Sequence, residues 1–135
     1  MLHKYLVLLL SLAMVLGGCK KDEPAPEPTL EGRWNPETSI EYQFDAAGKP
    51  TGQTSMPLPK DYYLLFTKDS LYYRSVRDNS SLGSYLIDRQ NNSFSLGRTT
   101  ALITELTAHK LTLRFKPVGV PAGMPYGEAE DIYSR

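Results

Sequence analysis

The sequence predicts an all-β domain of about eight short strands, a small antiparallel barrel or a sandwich, carried behind an N-terminal leader and a proline-rich tether. Three observations predict it. Ile40, Tyr42 and Phe44 alternate with Ser39, Glu41 and Gln43, the two-residue period of a half-buried strand. Short runs rich in aromatic and branched residues recur between turn-forming clusters, with no convincing helical spacing after the leader. Residues 29–135 suffice for one domain, and the single cysteine, Cys19, leaves no disulfide to hold it, so its own core must.

The elements follow in order. Ile40 to Phe44 makes an early strand, and Asp45-Ala46-Ala47-Gly48-Lys49-Pro50 supplies turn residues. Met56-Pro57-Leu58-Pro59 suits only an edge or a loop, because proline has no N–H for a ladder. Asp61 to Thr67 and Leu71 to Val76 flank the polar triplet Lys68-Asp69-Ser70 and read as a hairpin. Asp78-Asn79-Ser80-Ser81 turns the chain into a strand over Gly83 to Asp88, and Arg89-Gln90-Asn91-Asn92 turns it again into Ser93-Phe94-Ser95-Leu96. Thr99 to Thr107 and Lys110 to Phe115 pair next, with Leu111, Leu113 and Phe115 on one face. The stretch from Pro117 to Pro125 breaks the pattern, and Glu130 to Ser134 closes the sheet.

Ahead of the domain, Lys4 precedes an uncharged apolar run from Leu6 to Leu16 that ends in Gly17 and Gly18, the order of charge, apolar run and small residues that marks a secretory signal. The run is shorter than the roughly 20 residues of a spanning helix. Leu16-Gly17-Gly18-Cys19 resembles the bacterial lipobox, which implies cleavage after residue 18 and a diacylglyceryl group on the sulfur of Cys19. Two or more acyl chains make release from a membrane very slow, so a modified Cys19 would be a lasting anchor. Residues 19–28 then form a solvated tether: Pro24, Pro26 and Pro28 favour extended geometry, at about 3.1 Å per residue. Lys21-Asp22-Glu23 resembles the export signal of lipoproteins in Bacteroidetes-type bacteria, which implies display on the outer face of the outer membrane; a periplasm-facing position is the alternative.

Leu30-Glu31-Gly32-Arg33-Trp34 opens the domain, and its Gly-x-Trp resembles the start of the lipocalins and of the smaller lipocalin-like lipoproteins of the same bacteria. The strand, turn and strand from Ile103 to Leu113 resembles the late part of those domains. The resemblance implies a β-barrel in which Gly32 allows a close turn and Trp34 plugs one end under an arginine, either Arg114 or Arg135.

Composition narrows function. Loss of residues 1–18 removes one of the 15 basic residues, Lys4, and none of the 15 acidic ones, leaving a formal charge of −1. A near-neutral chain of mixed sign has no electrostatic reason to seek nucleic acid. Catalysis finds little support: His109 sits alone in a turn, no histidine pair is left to hold zinc, and Glu128-Ala129-Glu130-Asp131 lacks the spacing of a calcium loop and reads as solvated surface. No catalytic residue, metal or cofactor is therefore expected.

A barrel of this size is filled by side chains or holds one small ligand. Tyr42, Phe44, Phe66, Tyr73, Phe94 and Phe115 either pack the interior or line a pocket. Tyr62-Tyr63 and Tyr72-Tyr73 must each put one ring outward, where it would pair across strands or meet a sugar or a protein. The loop from Pro117 to Gly127 is stiffened by three prolines and carries Val118, Val120, Met124 and Tyr126, so it is either a plug over the barrel end or a lid and partner contact. The candidate ligand residues are Tyr42, Tyr73, Phe115, Met124 and Tyr126, for a small apolar or amphipathic ligand; the rival is a filled barrel serving as a protein or glycan contact module.

Overall fold

A computed structural model describes residues 27–88, 92–96 and 98–135. The leader, Cys19, most of the tether and most of the Arg89 to Asn92 turn lie outside the described residues. No helix among those described is long and apolar enough to cross a membrane.

The domain is a single antiparallel sheet of nine strands: β1 (Gly32–Phe44), β2 (Pro50–Pro57), β3 (Tyr62–Phe66), β4 (Ser70–Ser75), β5 (Ser81–Leu86), β6 (Ser93–Leu96), β7 (Thr99–Leu106), β8 (Lys110–Pro117) and β9 (Tyr126–Ser134). Its order is β5-β4-β3-β1-β9-β8-β7-β6, with β2 paired to β1 off that path. The expected closed barrel of about eight strands is not formed. The sheet curls until β5 and β6 come near each other, but no ladder joins them.

The long first strand explains the shape. β1 runs against β9 from Asn35 to Phe44, while its other edge is shared, β3 taking Gly32 to Trp34 and β2 taking Thr38 to Phe44. Between Pro36 and Thr38 the register with β9 slips, so Glu37 is an extra residue on β1. The bulge is tied down: Glu37 accepts from Ser134 Oγ at 2.5 Å and pairs with Lys60 at 2.6 Å.

A one-residue slip exchanges the faces of every residue beyond it. Before the bulge, Trp34 and Pro36 are buried on the concave side. Beyond it, Ser39, Glu41 and Gln43 stand opposite Asp131, Ala129 and Gly127 on that same side, and Ile40, Tyr42 and Phe44 face the convex side. The alternation expected for this strand is present, but Tyr42 and Phe44 do not pack the interior.

The packed core gathers at the other end. Leu30, Trp34, Leu64, Phe66, Leu71, Phe94, Ala101, Leu111, Leu113 and Tyr133 form one buried cluster, with Tyr73 and Phe115 packed against it. Phe66 and Phe94 meet edge to face at 5.9 Å. Trp34 is fully buried and donates its indole N–H to Leu30 O at 2.8 Å. The arginine over Trp34 is Arg135, whose guanidinium carbon lies 4.1 Å from the ring. Arg135 also donates to the carbonyls of Ala108, Glu31 and Thr29. Gly32 sits at φ +113°, a conformation closed to other residues, which brings the chain in under that arginine.

The middle strand β9 begins four residues before the expected Glu130, and the stretch from Thr51 to Ser55 is a strand that its residue types do not announce. All eight residues of β2 are exposed, so only backbone pairing with β1 holds it. Of Met56-Pro57-Leu58-Pro59, expected as an edge or a loop, Met56 and Pro57 end β2 and Leu58 and Pro59 lie in the loop after it.

Candidate functional site

The concave face changes character along its length. At the closed end Trp34, Phe66, Leu71 and Leu111 are dry. One step above, Tyr133 donates its hydroxyl to Asp131 at 3.2 Å, and Ser39 donates to the other oxygen of that carboxylate at 2.6 Å. Tyr62 and Tyr73 lie 5.7 Å apart beside this group, and Tyr85 meets Tyr73 edge to face at 5.9 Å. Burial pushes the Asp131 carboxyl above the usual carboxylate range, against the pull of its two hydroxyl donors. Burial likewise raises the phenols of Tyr133, Tyr73 and Tyr62, so all stay neutral donors and acceptors. Asp131 is therefore an inward-facing carboxyl, not solvated surface.

Above this layer the sheet opens. β3 and β4 end, and the upper halves of β1, β9 and β8 border a cleft of about 660 Å³. Its lining mixes rings with polar groups: Tyr42, Phe44, Phe115 and Tyr126 alongside Glu41, Gln43, Thr51, Thr99 and Glu128. Phe115 comes from the concave side, where its register partners are Ala101 and Ala129. Phe44 and Tyr126 are register partners and stack at 4.8 Å.

The convex side of the same strands is held by charge. Arg114 donates to Glu128 at 2.7 Å, lies 3.6 Å from Glu130, and covers the Tyr42 ring at 4.5 Å. Glu128 keeps only 9% of its side chain exposed, and its hydrogen bond raises the guanidinium pKa further. Glu128 and Glu130 are thus structural partners of Arg114, a second departure from the expected solvated cluster. This also settles the choice of arginine, since Arg114 serves Tyr42 and Arg135 serves Trp34.

The structure brings Tyr42, Phe115 and Tyr126 together at the cleft. Met124 lies beside it, in a shallow groove of the loop after β8 that also includes Val118, Val120 and Pro125. That loop is not a plug: Val118 is 61% and Met124 55% exposed. Tyr73 is elsewhere, in the tyrosine layer under the cleft. Of the paired tyrosines, Tyr62 and Tyr73 face in, while Tyr63 and Tyr72 face out under the guanidiniums of Arg33 and Arg74. His109 is exposed in the β7–β8 turn. Among the described residues no group of three or more His, Cys, Asp or Glu is placed to hold a metal ion.

Sequence reasoning missed Asp131 and Glu41. Both sit in strands where charge ordinarily marks the solvent face, and the bulge at Glu37 turns Glu41 to the concave side. In comparisons with known protein families, curated proteins and solved structures, nothing matches this chain.

Proposed function

We propose that this chain is a lipid-anchored lipoprotein that acts by binding, not catalysis, taking one small amphipathic ligand at the open end of its sheet. The observation that carries the reading is the cleft of about 660 Å³, a volume within the range of small-ligand sites, lined by Phe115 and Tyr126 together with Glu41 and Gln43. Rings and hydrogen-bonding groups side by side in the lining suit a ligand with one apolar and one polar part. The anchor rests on Leu16-Gly17-Gly18-Cys19, and the outer-membrane, surface-facing position on Lys21-Asp22-Glu23. The Gly32 and Trp34 arrangement under Arg135 supports a lipocalin-like relationship in an open sheet.

A second reading has its own observation. Val118, Val120 and Met124 are exposed together on a proline-stiffened loop at the rim, which suits a contact with a surface protein or glycan.

Native mass spectrometry of the full-length protein extracted from its own host tests the first reading. A bound molecule of constant mass, lost on denaturation and lost with Phe115→Ala, is expected. A clean unliganded mass from fresh extract would overturn it in favour of the rim contact. Labelling with a fatty acid, abolished by Cys19→Ser, is the expected result for the anchor.

A further inference from the structure

Three strands set one row of side chains across the inner side of the cleft. Glu41 of β1 is the register partner of Ala129 of β9, and Ala129 is the partner of Phe115 of β8, all on the concave face. Neighbouring strands lie about 4.8 Å apart, so the positions that carry the carboxylate and the ring are about 10 Å apart, with only a methyl group between them. The next row toward the rim has Gly127 opposite Gln43, and the next row down has Asp131 between Ser39 and Leu113. A longer residue at 129 would fill this slot, whereas alanine followed by glycine leaves it open.

Charge around the slot has one sign. Among the described residues the cleft is lined by Glu41 and Glu128 and by no lysine, arginine or histidine. Arg114 faces the convex side and is taken up there by Glu128 at 2.7 Å and Glu130 at 3.6 Å, two carboxylates against one guanidinium. Lys116 follows on that same convex side, and Arg98 lines the adjoining groove of the loop after β8. Glu41 is exposed and, among the described residues, enters no ion pair, so its charge is available to a ligand. Burial first, and then the charge of Glu41, push the Asp131 carboxyl up, which places the Glu41 carboxylate on the inner side. An anion entering the slot would meet Glu41 with no guanidinium or ammonium on this face to receive it. A cation would meet a carboxylate on one side and an aromatic ring on the other, the two groups that attract it.

We infer that the cleft selects a cationic amphiphile, an amine or quaternary ammonium whose charged head sits between Glu41 and Phe115 over Ala129. The inference rests on the cleft being the ligand site, and it adds the sign of the ligand's charge and the two residues that read it. The apolar part of the ligand then lies toward Phe44 and Tyr126, the stacked pair in the same lining.

The test uses the full-length protein in phosphatidylcholine nanodiscs and three probes that share a phenylbutyl group: 4-phenylbutylamine, 4-phenylbutanol and 4-phenylbutyrate, titrated by calorimetry against empty nanodiscs. The amine is expected to bind at least about tenfold more tightly than the alcohol, and the carboxylate more weakly than either. Glu41→Gln, which removes the charge at an exposed position and keeps the shape, should bring the amine within about threefold of the alcohol. Phe115→Leu, which keeps an apolar side chain and removes the ring, should also narrow the gap. Cargo released from the host-derived protein should carry a basic or quaternary nitrogen. Equal affinity for the three probes, no binding of the amine, a preference for the amine that Glu41→Gln leaves unchanged, or an anionic cargo would overturn the inference. An anionic cargo, or a preference for the carboxylate, would do so while leaving the cleft as the ligand site, whereas a clean unliganded mass from fresh extract would remove both.

Discussion

The two ends of the curled sheet are built from similar residues and differ in what surrounds them. At the closed end Trp34 is fully buried, hydrogen-bonded and covered by Arg135. At the open end Phe115, a ring on the same concave face, is only half-buried and borders a cleft. The closed end has strands from both halves of the sheet around it, whereas the open end has lost β3 and β4 and keeps only β1, β2, β9, β8 and β7. An aromatic ring becomes core where strands converge and pocket wall where they run out. The closed end therefore carries stability, and the open end is where we propose that the ligand binds.

The largest expected effect breaks the closed end. Trp34→Ala should destabilise by about 3 to 5 kcal/mol, the range for removing a large buried aromatic, measured by equilibrium urea unfolding of the full-length protein. Arg114→Ala should do less, about 1 to 3 kcal/mol, by freeing the largely buried Glu128 carboxylate, and should lower ligand affinity by loosening the cleft wall. An Arg114→Ala protein as unstable as Trp34→Ala would erase the distinction between the ends.

The smallest effect is in pH dependence, and its sign distinguishes the middle layer from the surface. The folded pKa of Asp131 is raised above 3.8, so the native state holds this proton more tightly than the unfolded chain does. Its contribution to stability is complete below the unfolded value and is lost as pH rises through the folded one. Glu37, whose carboxyl is lowered by Lys60 and Ser134, contributes in the opposite sense, losing its share as pH falls through the folded value. Asp131→Asn should therefore flatten the fall in stability between about pH 4 and the raised folded value, read by thermal unfolding across that window. An unchanged profile would mean that Asp131 faces water.

Much of the closed end was legible in the sequence. Gly32 and Trp34 mark the first turn and plug, and Phe66, Phe94, Leu111 and Leu113 fall in the core where the two-residue period puts them. The open end was not, for three physical reasons. The bulge at Glu37 reverses faces without any signal in residue type, so Tyr42 and Phe44 were expected inside and Glu41 outside. β2 is held by backbone pairing alone, so Thr51 to Ser55 has no apolar alternation to find. The spacing of Arg114 and Arg135 does not say which ring each covers, because that depends on strand order. Closure failed as an expectation for the same reason, since runs and turns count strands but do not fix whether β5 and β6 join.

Hydrogen exchange of the full-length protein, compared as isolated with its cargo and after the cargo is stripped, tests the central claim most directly. The account predicts that stripping raises exchange in the upper halves of β1, β8 and β9, around Glu41 to Phe44, Phe115 and Tyr126 to Ala129, and leaves Trp34, Leu64 and Leu111 slow in both states. A change centred on the Trp34 end, or no change anywhere, would contradict it.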